Sequence, residues 1–270
     1  MHEELPEQLV ENIVTLPTIP AVLAELNAAI ANPDSSASEV ARIISRDPST
    51  ATKVLRLANS AYYGLRSKVT TINHAVTMLG FKIIRNLVTT ATVFDVPLHG
   101  LAKHFDRDKF WRHSLGTGVG AQILAREAFH LDRRNDDYFI CGLLHDLGKI
   151  VLAQQLQSQF QQALQTSQDQ RIPLFEAEKQ VVGCTHADVG GLLAKRWNLS
   201  HEVITALRMH HAPLRAPEQF KNHAVVTHLA DYMVRKKEIG SGGGADPEID
   251  PLAWEALRLS KRAIPGILSE

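Results

Sequence analysis

At 270 residues and 44% apolar, the chain can bury a substantial core, either as one large domain or as two modest lobes. Its 29 basic and 29 acidic side chains cancel, so the molecule as a whole exerts no bulk pull on nucleic acid or on a membrane surface. The start, MHEELPEQLV, carries acid where a secretory leader needs a basic end, and no apolar run approaches the ~18 residues of a membrane span. Cys141 and Cys184 form neither a CxxC pair nor a disulfide framework and read as small buried residues of a reducing compartment, so the expected location is the cytoplasm.

Apolar residues recur at three and four positions nearly throughout and no stretch alternates with period two, which predicts an all-α fold. Residues 21–31 place Val22, Leu23, Leu26 and Ile30 on one face and stop at Asn32-Pro33-Asp34. Ser36 with Glu39 has the spacing of a capping box ahead of Val40, Ile43 and Ile44. Asp47-Pro48 supplies an N-cap carboxylate and a proline at the first helical position, opening a helix that runs to about Ala61 and is closed by Gly64. Residues 71–79 form a short helix ending at Gly80, after which 81–93 is apolar on more than one side and reads as a buried helix.

Pro97 and Gly100 mark a lobe boundary, dividing an N-terminal helical lobe (residues 1–100) from a histidine-rich lobe with C-terminal helices (101–270). Residues 106–129 read as one long helix whose Gly116, Gly118 and Gly120 let other helices approach; no strand precedes this run, as a dinucleotide fingerprint would demand. Residues 138–153 form the central apolar helix, and Gln-rich 154–170 is a solvated helix with Leu156, Phe160 and Leu164 at helical spacing. The stretch GSGGGAD at 240–246 reads as a flexible linker, and 251–268 as a terminal helical pair.

His145 and Asp146 sit in the apolar stretch GLLHDLGK and are joined along the chain by His113, His186, the doublet His210-His211 and Asp231. Any one of these histidines, taken alone, is more often a satisfied polar residue on a helix. The order H, HD, H, HH, D over five segments points instead to a shared metal site. Mixed imidazole and carboxylate ligands suit one or two divalent first-row transition ions, iron, manganese or zinc. On a continuous helix His145 and Asp146 would diverge by about 100° yet still reach an ion between them. Gly190 leaves room beside His186, the doublet falls at a helix C-terminus because Pro213 follows, and Asp231 would be a costly unpaired charge in its apolar helix without a metal. Lys149 projects near His145, where it would hold a phosphate oxygen or a carboxylate, or else it is a surface lysine.

The segments LPTIPAVLAEL, VARIISRDPSTATKVLRLANSAYYG, TINHAVTMLGFKIIRNLV, FWRHSL and CGLLHDLGKIVL resemble the HDOD family, the HD-related output domains of bacterial signalling proteins, across most of residues 6–235. The family lies within the HD superfamily of metal-dependent phosphohydrolases. The resemblance implies an all-α HD-domain, phosphodiesterase-like helical bundle with an N-terminal helical lobe, serving as a non-catalytic output or interaction module that binds a signalling protein partner. Resemblance to catalytic HD proteins implies that His113, His145, Asp146 and Asp231 hold one metal, with Asp146 bridging to a second held by His186, His210 and His211. Lys149 matches the HDxGK form of the HD-GYP cyclic-dinucleotide phosphodiesterases and is the catalytic candidate should the chain be an enzyme. The GYP element is absent after His211, where APLRAPEQF follows, and Lys109 stands where three-metal relatives carry an acidic ligand.

Three functions follow as expectations. The first is the signal-transduction output module with an HD-type metal site and no turnover; the second a metal-dependent phosphohydrolase of a nucleotide or cyclic dinucleotide; the third a nucleotide sensor without cleavage. Residues 41–86 carry eight basic residues (Arg42, Arg46, Lys53, Arg56, Arg66, Lys68, Lys82 and Arg85) against the single acid Asp47. That segment is either a solvated set of helix faces or a surface for an acidic protein, with nucleic acid disfavoured because no aromatic-interleaved basic motif accompanies it and no membrane partner expected.

Overall fold

A computed structural model of the chain describes residues 7, 11, 20–60, 63–65, 67–94, 105–130, 137–245 and 249–257. Among these every regular element is a helix, and the only β-type pairing is an isolated bridge between Pro173 and Ala245. Two compact units emerge, one formed by Thr18–Pro97 and the other by Leu98–Glu270 together with Met1–Pro17.

The first unit holds α1 (Ala21–Ala31), α2 (Ala37–Ser45), α3 (Pro48–Ala58) and α4 (Ile72–Phe94). Ser36 Oγ accepts the Glu39 amide at the start of α2, and the Asp47 carboxylate accepts the Ser49 amide ahead of Pro48, so both expected start signals operate. Leu23, Leu26, Val40, Ile44 and Val54 are fully buried and supply the centre of the unit. Asn59 explains the polar residue after α3: its amide donates to the carbonyls of Leu55 and Val69 and its carbonyl accepts the Val69 amide, closing the connection to α4. The expected break at Gly80 is a kink (φ 81°, ψ 166°) within α4, a backbone conformation open to glycine. Ala61, Tyr62 and Arg66 lie outside the described residues.

The second unit begins with α5 (Arg107–Phe129), capped by Asp106, which accepts the amides of Asp108 and Lys109. There follow α6 (Asp137–Leu144), α7 (Leu147–Gln155), α8 (Gln157–Gln170), α9 (Leu174–Val181), α10 (His186–Arg196), α11 (His201–Met209), two short 3-10 turns, α12 (Lys221–Lys236) and α13 (Pro251–Ala256). Ala121 and Leu124 of α5, Tyr138 of α6, Val225 and Leu229 of α12 and Ala253 of α13 form one apolar core. Glu7 and Glu11 pair with Lys195 and Arg196 on the exterior, contacts worth little in stability. The second member of the expected C-terminal helical pair lies outside the described residues.

Close helix crossings are made at glycines, and they fix the geometry that matters for function. A Cβ on Gly142 would lie 2.5 Å from the Thr117 carbonyl oxygen, so α6 and α5 meet backbone to backbone. A Cβ on Gly148 would lie 1.9 Å from the His186 carbonyl oxygen, and Gly190 faces Gly148 across the same crossing of α7 and α10. The α5 glycines act as expected, with Gly118 against Phe139 and Gly120 against Ala230.

Two sequence-based expectations are corrected. The continuous helix over 138–153 is broken at His145-Asp146, because the Gly142 carbonyl accepts the His145 Nδ1 proton at 2.7 Å and α7 starts afresh at Leu147. The glycine-rich stretch at 240–245 is no free linker: Gly242 is buried, the Ser241 amide donates to the Lys109 carbonyl at 3.0 Å and the Ala245 amide to Ser167 Oγ at 2.9 Å.

Gly148→Ala should therefore cost about 3 kcal/mol or prevent folding, since backbone rather than a flexible side-chain end must give way. Gly120→Ala meets only an ordinary contact, 3.6 Å from Ala230 Cβ, and should be neutral or stabilising by up to ~1 kcal/mol. Denaturant unfolding of the two variants checks the pair, and a Gly148→Ala protein as stable as the parent contradicts the crossing.

Candidate metal centre

The structure brings all seven sequence-predicted ligands together. His113 comes from α5, His145 and Asp146 from the α6–α7 break, His186 from the first position of α10, His210 and His211 from the end of α11, and Asp231 from α12. The break at 145–146 is what lets imidazole and carboxylate converge on one side. Thr185 closes a capping box with Asp188, which sets the entry angle of α10 and so the place of His186. His228, which no sequence signal singled out, donates from Nδ1 to the His210 carbonyl and accepts the Asp250 amide, tying the doublet to the segment before α13.

Asp146 divides the cluster. Its Oδ2 lies 3.3 Å from His145 Nε2 and 3.5 Å from His113 Nε2, while Asp231 Oδ1 lies 3.0 Å from His113 Nε2 and 3.6 Å from His145 Nε2. On the other side Asp146 Oδ1 lies 3.2 Å from His186 Nε2 and 3.9 Å from His210 Nε2, and His186 Nε2 is 3.4 Å from His210 Nε2 and 2.9 Å from His211 Nε2. Groups of three from this set, His113 with His145 and Asp231, and His186 with His210 and His211, each place their ligand atoms within 4.8 Å of one another.

Hydrogen bonds on the far ring nitrogens decide the tautomers. A carbonyl or carboxylate oxygen can only accept, so His145 Nδ1 donates to Gly142, His210 Nδ1 to Leu207 at 2.8 Å and His186 Nδ1 to Glu178 at 2.6 Å. When His186 and His210 are neutral, their Nε2 lone pairs face one another 3.4 Å apart in the interior, where no proton satisfies both. Asp146 Oδ1 is likewise buried with no hydrogen-bond donor. The Nε2 atoms of His113 and His145, 3.3 Å apart, and those of His186 and His210 are separated by close to the ~3.3 Å edge of a tetrahedron of ~2.0 Å metal–nitrogen bonds, so the donor set fits a divalent transition ion on either side of Asp146.

Electrostatics agree with a site built to be ionic. Burial alone would raise the carboxyl of Asp146, yet the charges of His145 and Lys149 outweigh it and hold the group well below the usual carboxylate range. Asp231 behaves alike, with Arg235 the leading opposing charge. Burial would lower His145, but Asp146 and Asp231 lift it to about 9. His210 and His211 are pushed well below the ordinary imidazole value, by burial first and then by the neighbouring histidines.

Lys149 proves to be no surface lysine: it is 1% exposed and its Nζ donates to Asp146 Oδ2 at 2.7 Å. Two further residues escaped the sequence reading. Arg235 donates from Nε to Asp231 Oδ1 at 2.8 Å, a partnership its i+4 spacing from Asp231 could have announced. Glu178, fully buried, orients His186, and its place on the Leu174, Ala177, Glu178 stripe of α9 was the available signal.

The HDOD domain matches residues 16–213. The chain belongs to the HDOD domain family. An HDOD domain protein of unknown function from Geobacter sulfurreducens superposes with a TM-score of 0.74 at 24% identity, covering 97% of this chain and 94% of the other. A Shewanella amazonensis SB2B protein provisionally named a phosphohydrolase gives 0.70 at 27% identity over 85% of this chain and 81% of its own. An uncharacterised Treponema pallidum (strain Nichols) protein is 30% identical over 234 residues; the HDOD chain described here aligns over 86% of its own length and spans 44% of that relative.

Two outcomes follow from the HDOD centre. Glu178→Gln should weaken metal binding about 10–100-fold with helicity kept, because the group orienting His186 loses its charge. Metal uptake at about pH 8 should release protons, since His145 holds one up to about 9 in the metal-free protein, and affinity should fall as pH falls. Calorimetry in two buffers of different ionisation heat reads both, and uptake without proton release contradicts the assignment.

Proposed function

We propose that this chain is an output module of bacterial signal transduction, acting in the cytoplasm, whose HD-type centre holds one or two iron, manganese or zinc ions and turns over no substrate. His113, His145, Asp146 and Asp231 would hold one ion, and Asp146, His186, His210 and His211 the other. Ions bound there polarise water or a phosphoryl oxygen. Turnover also requires that a scissile phosphate be gripped and aligned, a contribution of several orders of magnitude in rate. The observation carrying the reading is that Lys149 and Arg235, the cations facing the ligands among the described residues, pair with the ligating carboxylates and lie beneath the Gly242 backbone. In this role the centre cross-links α5, α7, α10, α11 and α12 and braces the module. No helix among the described residues is long and apolar enough to cross a membrane.

The partner surface is assigned to the basic face of the first unit, where Arg42, Arg56 and Lys82 are exposed in a segment with the single acid Asp47. Its chemistry fits an acidic protein. A second reading, a metal-dependent phosphohydrolase, is favoured by the way the two oxygens of Asp146 face different histidine groups, an arrangement suited to two ions.

Metal analysis of the purified protein combined with a phosphodiesterase panel in added manganese or iron separates the readings. No turnover of cyclic di-GMP or a generic phosphodiester above the metal-only background is expected. Turnover abolished alike by His145→Ala, Asp146→Ala and Lys149→Ala overturns the output reading in favour of the enzyme, and saturable nucleotide binding without cleavage would instead favour a sensor. Arg42→Glu with Arg56→Glu should weaken capture of an acidic partner while moving the melting temperature by no more than about 1 °C, since exposed charges contribute little to stability.

A further inference from the structure

The segment 240–245, sequence GSGGGA, does more than span the distance from α12 to α13. At one end Gly240 (φ 71°) runs so close to α5 that a Cβ would lie 2.3 Å from the Lys109 carbonyl oxygen and 2.4 Å from the His113 amide nitrogen. The Ser241 amide is bonded to that same Lys109 carbonyl. At the other end the Ala245 amide is held by Ser167 Oγ, whose own proton goes to the Ile172 carbonyl at 2.7 Å. Between these anchors the chain lies across the metal ligands. A Cβ on Gly242 would stand 2.7 Å from Asp146 Oδ2, 2.8 Å from Arg235 Nη2 and 2.9 Å from Lys149 Nζ. The Gly242 backbone thus runs directly over two cationic nitrogens and a carboxylate oxygen, leaving no room for a further group at that point.

We propose that residues 240–245 are an autoinhibitory strap, and that the Gly242 backbone keeps an oxyanion, a phosphoryl or phosphate oxygen, out of the place between Lys149 and Arg235 beside Asp146. This deepens the reading of a silent centre by assigning its closure to a movable segment. The strap is built to lift. It contributes no apolar side chain larger than alanine to any core, its ends are held by the Ser241 amide on Lys109 and, at Ala245, by Ser167 and the bridge to Pro173, and Gly240, Gly243 (φ 81°) and Gly244 (φ 72°) supply left-handed hinges. Open space borders it: a cavity of about 300 Å³ lined by Lys109, Leu164, Ser241 and Gly243, and another of about 360 Å³ lined by Arg235, Glu238 and Gly240. A plain linker would gain nothing from glycines at the points of closest approach. Here a side chain at Gly242, Gly243 or Gly244 would strike Asp146, Leu164 or Leu174.

The test uses the full chain, inorganic phosphate as probe, and two variants. Gly242→Val forces the strap off the cations, and Ser167→Ala removes the hydrogen bond to the Ala245 amide without touching a metal ligand. Amide hydrogen exchange of Ser241 and Ala245, read on metal-free protein, reports closure whatever the metal content. Phosphate titration of manganese-loaded protein reports the uncovered site. If the closed fraction is ~99%, both amides should exchange about a hundredfold faster in Gly242→Val and phosphate should bind tighter by about the same factor, since apparent affinity scales with the open fraction. Ser167→Ala should give the same changes in smaller measure. Wild-type amides exchanging as fast as a free loop, or folded variants whose phosphate affinity equals the parent's, overturn the strap. Protein that takes up no metal overturns the silent-centre reading instead and leaves the exchange result to decide the strap.

Discussion

Asp146 is the constraint around which the second unit is arranged. A carboxylate fully removed from water is tolerated only when its charge is answered, and here Lys149 and two groups of imidazoles face its two oxygens from opposite sides. Meeting that requirement needs side chains from five helices to reach one volume. The glycine crossings at Gly142 and Gly148 make this possible, because any Cβ there would hold α5, α6, α7 and α10 apart and open the cluster. The polar centre and the apolar core are thus parts of one packing solution.

The arrangement separates two properties that metal hydrolases normally combine. Histidine and carboxylate atoms that could hold a metal gather on both sides of Asp146, while the neighbouring cations pair with the carboxylates and the face beside them is crossed by a glycine backbone. An HDOD module built in this way would, under the proposed function, draw rigidity from a metal centre whose chemical face is covered.

Helix positions were legible wherever local chemistry sets them: Ser36, Asp47 and Asp106 cap helices as their side chains dictate. The clustering of the seven histidines and acids was legible for a different reason, since such residues in apolar helices are costly without a shared purpose. What failed were features decided by tertiary contacts. Nothing local marks His145-Asp146 as a helix break; it arises because the Gly142 carbonyl bonds an imidazole and the flanking glycines lock two crossings. Glu178 and Arg235 belong to the centre through contacts between and along helices that hydrophobic periodicity does not report. The glycine run at 240–245 looked flexible because its composition is that of a linker, whereas its glycines are there for close approach as much as for freedom.

The central claim is that the buried histidines and carboxylates form a metal centre shared through Asp146. Metal-edge X-ray absorption on the purified HDOD protein, beside its Asp146→Ala variant, tests it most directly. The account predicts a first shell of nitrogen and oxygen with the outer-shell scattering of imidazole in the parent and loss of bound metal in the variant. A parent protein free of metal, a sulfur-containing shell, or an unchanged spectrum in Asp146→Ala would contradict it.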